Sequence, residues 1–289
     1  MSSKTKNAFV IIHFGDKPKY LELEIYFLIM LRNNTKNDII YMYSISDTPK
    51  SFVNIIKKYC TKVIPYDDIN ITYNIQNFDS HYKHFNTLRT CNFLFAFQLI
   101  EYKKICCIES DLVIKDNIDD VFDLKCPAIL KYDVDQTLLD KNYKIKLIDR
   151  YLENHHSTIF LNGGLLLFKP SLKLFEKLKQ NLQKIITHNC KYPNESLFVY
   201  TLKTFYNLPI RYNFSHYYVD RVKINNPIKV YHFNESIYKP INVIRDGYID
   251  KQKKKILKNV ILFFKKNYYD IYHEKIDKQL ASLSVNSNS

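Results

Sequence analysis

The sequence predicts a mixed α/β domain on a mainly parallel sheet, and three observations carry that prediction. Short apolar runs alternate with segments of helical period from residue 7 onward, the pattern of βαβ units. The 289 residues contain no internal repeat and no linker rich in Pro, Gly or Ser. Of these residues 46% are hydrophobic, with abundant Tyr and Phe, so the chain can bury a sizeable core.

The elements follow in order. NAFVIIHF (7–14) reads as a buried strand closed by a turn at Gly15-Asp16-Lys17-Pro18, and Tyr20 to Leu31 carries apolar residues at helical spacing. Ile39–Tyr43 and Lys62–Pro65 read as strands, with a short helix over Phe52–Cys60 between them. Thr87–Tyr102 is apolar at helical intervals, and 104–108 is a strand. Beyond it the pattern loosens. Ile159–Phe168 is an apolar run broken by Asn162-Gly163-Gly164, Ser171 caps an amphipathic helix to Ile186, Glu195–Tyr206 reads as a further helix, and Lys229–Phe233 as a last strand. The expected organisation is one domain over 1–244 and a basic helical extension over 245–289.

The formal charge is +14, and lysines concentrate in KQKKKILKNVILFFKKNYY (251–269). Such an excess suits anionic partners: acidic lipid, nucleic acid or a phosphate-bearing small molecule. Peripheral membrane contact through this tail is one expectation; a helix packed on the domain with a wet lysine face is the other. No apolar run approaches the ~20 residues of a membrane span. The six cysteines form no CxxC pair, which predicts buried thiols in a reducing, cytoplasmic setting.

The chemistry concentrates where the strand 104–108 ends. Glu109 and Asp111 stand one residue apart, so on an extended chain both point the same way. Two like charges side by side call for a cation, a proton or solvent between them. Oxygen ligands after a buried strand suit Mg²⁺ or Mn²⁺. His232 in KVYHF adds an imidazole, which favours Mn²⁺, and Lys239 adds a point charge suited to phosphate. Only four glycines exist, and Gly163 and Gly164 are adjacent, which signals either a close backbone approach or a bulge.

Six blocks in order, AFVIIHFGDKPKY, LIEYKKICCIESDLVIKDNIDDVF, LNGGLLLFKPS, PNESLFV, LPIRYN and VYHFNESIYKP, cover roughly residues 7–240. Together they resemble the glycogenin-type and lipopolysaccharide-galactosyltransferase-type retaining glycosyltransferases, family 8. The resemblance implies a glycosyltransferase-A type fold and transfer of a hexose, glucose or galactose, from a UDP-sugar to an unidentified glycan, protein or lipid acceptor. It implies Mn²⁺ (Mg²⁺ as the alternative) held by Glu109, Asp111 and His232. Ile12, His13 and Tyr20 match the uracil pocket, Ser110 lies within the acidic triplet, and Lys239 matches the lysine that meets the diphosphate. Asn162, Gly163 and Gly164 match the stretch against the donor sugar, Asp133 and Asp135 the carboxylates on sugar hydroxyls. Arg89 is the nearest match to a basic residue on the helix before the metal strand. Nucleic acid is not among the implied partners.

The departures are specific. Glu109 replaces the family's Asp, which leaves a shifted metal or a ribose contact as alternatives; Ser236 replaces Gly and Ile241 replaces Trp. The family's Asp-Gln pair becomes Asn194-Glu195, which places a carboxylate where a catalytic role, nucleophile or stabiliser of an oxocarbenium-like centre, competes with a simple helix-start role. Two rival readings remain: a degenerate transferase fold that binds a membrane or polyanion, and a nucleotidyl transferase, which also pairs carboxylates with a metal.

Overall fold

The computed structural model describes residues 6–68, 87–131, 136–146, 161–187, 193–215, 218, 222, 224–233, 239–248 and 255–286. Strands β1 (Asn7–His13), β2 (Asp38–Ser44), β3 (Lys62–Tyr66) and β4 (Lys104–Ile108) are parallel, with β1 between β2 and β4. The strand order therefore reverses at β1. Ligands of such sheets bind beyond the carboxyl ends of the strands at this point. Both faces are covered: Phe9, Ile11, Cys106 and Ile108 enter one core, Ala8, Val10, Ile105 and Cys107 the other. Burial on both sides is why these strands read as continuous apolar runs, and it sends the adjacent thiols of Cys106 and Cys107 to opposite faces.

Past β4 the sheet turns mixed. A short β5 (Leu112–Ile114) follows the acidic triplet, then β6 (Ala128–Lys131), β7 (Lys144–Lys146), β8 (Leu161–Phe168) and β9 (Thr204–Asn207) complete the order β3-β2-β1-β4-β8-β6-β9-β7. Strand β8 is antiparallel to β4. In the smaller sheet β10 (Phe214–Ser215), β11 (Val230–His232) and β5 pair in the order β10-β11-β5.

The helices α1 (Pro18–Asn34), α2 (Lys50–Ile56), α3 (Leu172–Thr187), α4 (Pro193–Leu202), α5 (Pro240–Arg245), α6 (Lys255–Phe264) and α7 (Asp270–Asn286) surround the sheets. Ser171 caps α3 as expected, its Oγ accepting the Leu174 N–H at 3.3 Å. The expected helix over Thr87–Tyr102 is a 3₁₀ segment ending at Gln98. The expected helix Glu195–Tyr206 stops at Leu202, because Lys203 adopts φ 53° and Thr204–Asn207 leaves as β9 to pair with β6 and β7. Asp133, Asp135 and Ser236 lie outside the described residues.

Helix α1 is buried continuously from Leu21 to Leu31, Glu22 and Glu24 included, because it is covered on two sides. The sheet lies beneath it, and α6 and α7 lie above. Leu257, Val260, Ile261, Phe264, Tyr268 and Ile276 join the same core, while Lys255, Lys266, Lys275 and Lys278 are exposed. Tyr26 meets Phe264 edge-on at 5.5 Å and stacks on Tyr269 at 5.9 Å. Among the described residues no helix is long and apolar enough to cross a membrane.

One ion-pair cluster ties these layers. Arg245, at the end of α5, donates to Glu22 Oε2 at 2.6 Å and to Asp277 Oδ1 at 3.3 Å. Glu22 is only 3% exposed. Arg245→Ala strands this carboxylate away from water, and we expect a loss of about 2 kcal/mol in denaturant unfolding at pH 7. Adding Glu22→Gln should recover part of it; an unchanged midpoint in Arg245→Ala rejects the clamp.

Candidate active site

The antiparallel pairing of β4 with β8 brings the start of β8 past the end of β4. Ile108 lies opposite Leu165, and the Glu109 N–H donates to the Gly164 carbonyl at 3.0 Å. The pairing of β5 with β11 sets His232 opposite Leu112, and the Phe233 N–H donates to the Asp111 carbonyl at 3.0 Å. Two register choices thus carry an imidazole from residue 232 to a triplet at 109–111.

Their side chains converge. One ligand atom each from Glu109, Asp111 and His232 lies within 4.8 Å of the others. His232 Nε2 is 3.3 Å from Glu109 Oε2 and 3.3 Å from Asp111 Oδ1, and Lys239 Nζ is 3.5 Å from Asp111 Oδ2. His232 is 2% exposed, whereas the Glu109 side chain is 47% exposed, so the cluster opens to solvent on the Glu109 side. Burial opposes the charge on Asp111, but His232 and then Lys239 outweigh it and hold the carboxyl down at about 2. Burial likewise opposes a charge on His232, but Asp111 and Glu109 lift the imidazole to about 9. Among the described residues, His232 Nε2 and Asp111 Oδ1 are buried atoms with no hydrogen-bond partner. Orphaned ligand atoms facing one another fit a divalent cation.

The glycine pair stands against protein. A Cβ on Gly164 would lie 2.6 Å from the His232 ring, and one on Gly163 would lie 2.9 Å from Asn194 Nδ2 and 3.1 Å from Glu195 Oε1. The close approach expected at these glycines is therefore made by His232, Asn194 and Glu195. Glu195, in the first turn of α4, accepts the Gly163 N–H at 3.2 Å through Oε1; its Oε2 is buried with no hydrogen-bond partner among the described residues. Burial, with the Glu109 charge adding to it, pushes this carboxyl up to about 7.

The remaining expected residues, Ser110 apart, lie around the carboxyl ends of β1 to β3. Ile12 is half-buried near the end of β1, and Tyr20 is 40% exposed at the start of α1 with Lys19 Nζ 5.3 Å from its ring centre. His13 is buried with both nitrogens engaged: Nδ1 is 2.8 Å from Glu24 Oε1 and Nε2 is 3.0 Å from the Gly15 carbonyl. Burial opposes its charge, yet Glu24 raises the imidazole above its ordinary value. Its side chain holds the loop at Gly15 (φ 101°) in place. Arg89 lies over the Phe14 ring and donates to Asp47 Oδ1 at 2.9 Å and to Asp68 Oδ2 at 2.7 Å. Ser110 is partly exposed within the triplet.

Sequence reasoning missed Asn213, Asp47 and Asp68. Asn213 is fully buried and its Oδ1 lies 2.9 Å from His232 Nδ1. Its signal was present in LPIRYN, an asparagine ending an otherwise apolar and aromatic block. Asp47 and Asp68 each follow a strand by a few residues, the position where Glu109 and Asp111 drew notice.

No family model matches the chain. An uncharacterized protein of Acanthamoeba polyphaga mimivirus is 26% identical over 245 residues, 81% of this chain and 82% of its own length. Among solved structures, the glycosyltransferase GlyE of Streptococcus pneumoniae matches with TM-score 0.55 and 14% identity over 96% of this chain. The galactosyltransferase LgtC, solved with donor and acceptor sugar analogs, gives 0.53 and 14% over 88% of this chain and 95% of its own. WbbM, a bifunctional glycosyltransferase, gives 0.52 and 15% over 90% of this chain. The chain spans 64% of GlyE and about half (52%) of WbbM. These likenesses are consistent with the family 8 resemblance, and they establish the mixed α/β, glycosyltransferase-A type fold.

Proposed function

We propose that the chain is a metal-dependent retaining glycosyltransferase of the family 8 kind, which moves a hexose from a UDP-sugar to an acceptor. The observation that carries this reading is the convergence of Glu109, Asp111, His232 and Lys239 beyond the carboxyl end of β4, on a fold shared with glycosyltransferases. Charge argues for the ligand. The carboxylates of Glu109 and Asp111 are balanced by the imidazolium of His232 and the ammonium of Lys239, and a divalent cation that replaces the His232 proton adds the positive charge that attracts a diphosphate. Bound there, the cation supplies Lewis-acid stabilisation of the departing diphosphate.

The chain's own residues do the rest. Lys239 sits at the N-terminal boundary of α5, anchored by α5, and presents its ammonium to the diphosphate side of the cluster. Tyr20 and Ile12 offer an apolar platform for the nucleobase, and His13 fixes the loop beside them through Glu24 and Gly15 rather than by touching ligand. Asn194 is assigned to the sugar side, while Gly163 and Gly164 make room for Glu195 and His232. Glu195 Oε2 is buried and engaged by no protein group among the described residues, and on this reading its charge stabilises positive charge at the anomeric carbon.

Calorimetry with UDP tests the reading. UDP should bind in the presence of Mn²⁺ and bind far more weakly in EDTA, and a screen of UDP-sugars should show UDP release with UDP-glucose or UDP-galactose. Equal UDP binding with and without metal, or no binding in either, removes the proposal.

A further inference from the structure

We infer that Asn213 and Asn162 form a relay that fixes the tautomer of His232 and aims its Nε2 lone pair at the carboxylates, so that both are positioning residues for the metal ligand. The inference rests on the cation reading of the site and adds the means by which the chain enforces it.

The relay starts from a group whose role is not negotiable. The Gly164 backbone N–H can only donate, and it reaches Asn162 at 2.8 Å, so the atom it meets is the side-chain oxygen Oδ1. That oxygen, and the Asn162 backbone carbonyl, then face the Asn213 amide at 2.9 Å and 3.3 Å. Both are acceptors, so the Asn213 end that meets them is its NH₂. The amide is thereby oriented, and its oxygen Oδ1 lies 2.9 Å from His232 Nδ1. An oxygen acceptor requires a proton on Nδ1. The lone pair of the neutral ring is left on Nε2, 3.3 Å from a carboxylate oxygen of Glu109 and 3.3 Å from one of Asp111. Three acceptors meeting at one point are satisfied only by a proton or a metal cation.

The packing leaves the relay no slack. Asn213 is 0% exposed, Asn162 4% and His232 2%. The ring lies against the bare α-carbon of Gly164, where a Cβ would come within 2.6 Å of Cε1 and Nδ1. Asn162 thus acts through Asn213 on the metal ligand, a role distinct from the sugar contact implied for it by resemblance. Outer partners of this kind change metal affinity by about 10- to 100-fold when removed.

Two measurements on the full chain test the relay. The first is ¹⁵N NMR of the histidine rings in metal-free protein at alkaline pH. Wild type should carry a larger share of the neutral His232 proton on Nδ1 than Asn213→Leu, in which the Glu109 and Asp111 carboxylates are left to hold it on Nε2. The second is titration with Mn²⁺ alone, followed by the electron paramagnetic resonance of free ion. Asn213→Leu should bind about 10- to 100-fold more weakly than wild type, with Asp111→Ala as the reference for a lost ligand. Asn213→Ser, too short to reach the ring, replaces Asn213→Leu where the larger side chain prevents folding. An Nδ1 proton retained in these variants, or Mn²⁺ affinity equal to wild type, overturns the relay. A wild-type protein that binds no Mn²⁺ overturns the cation reading beneath it, and the NMR result then still separates the two failures.

Discussion

Asp111→Ala or His232→Ala is expected to abolish Mn²⁺-dependent UDP binding and to lower sugar transfer by about 10³-fold or more. Lewis-acid stabilisation of the leaving group is worth several kcal/mol, and each ~1.4 kcal/mol is tenfold in rate. Both side chains are nearly sealed from water, Asp111 at 13% and His232 at 2% side-chain exposure, so neither loss is readily replaced by solvent. Glu109→Ala should cost less, because that side chain is 47% exposed and water can take its place at a metal. The three variants are compared by UDP calorimetry with saturating and with limiting Mn²⁺. Full activity in Asp111→Ala or His232→Ala refutes the metal assignment.

Glu195→Gln should keep UDP affinity and lose turnover by about 10²- to 10³-fold, the range of an electrostatic contact made at the reacting centre. The substitution preserves shape, and the glutamine oxygen still accepts the Gly163 N–H. Only the charge goes. The pH dependence gives an independent handle. With the carboxyl at about 7, its ionised fraction grows as pH rises, so wild-type turnover should climb between pH 6 and pH 8, and Glu195→Gln should lack this limb. Stability should move the opposite way. The folded value lies above the ordinary 4.5, so the carboxylate burdens the native state increasingly from pH 4.5 through 7, and Glu195→Gln should melt higher at pH 8. Near-normal turnover in Glu195→Gln would reduce this residue to a helix-start role.

Glu195 departs from local rules in three ways. Its burial raises its own pKa, its Oε2 lacks a protein partner among the described residues, and the neighbouring glycine must stay bare to admit it. The first two of these cost stability, which is the pattern the proposed role of Glu195 predicts.

The parallel half of the fold was legible because its strands are buried on both faces. NAFVIIHF and KICCI can be nothing but interior strands, and the helix Pro18–Asn34 is apolar nearly all round because it lies between two layers. What sequence spacing could not supply was pairing. Nothing local to Val230–His232 reveals that it lies against Leu112–Ile114, yet that pairing alone delivers the imidazole to Asp111. Thr204–Tyr206 continues the apolar period of α4 and so reads as helix; the left-handed Lys203 and two waiting strand edges decide otherwise. The lysine-rich C-terminal segment drew attention to its charge, while Leu257, Val260, Ile261 and Phe264, spaced at one helical face, dock it on α1. The glycine pair read as either a close approach or a bulge, and both are present: β8 slips against β6 between the pairs Leu130–Asn162 and Ile129–Leu166, and the groups approaching the glycines, His232 and Glu195, come from distant segments. Asn213 escaped for the same reason, since its partners Asn162 and His232 are 51 and 19 residues away.

Anomalous diffraction at the manganese edge, from crystals grown with UDP and Mn²⁺, puts the central claim to its most direct test. The geometry predicts one peak bonded to Asp111, to His232 Nε2 and to the diphosphate, on the side where Glu109 opens to solvent. A diphosphate bound with no peak between these side chains, or a peak elsewhere on the molecule, contradicts it.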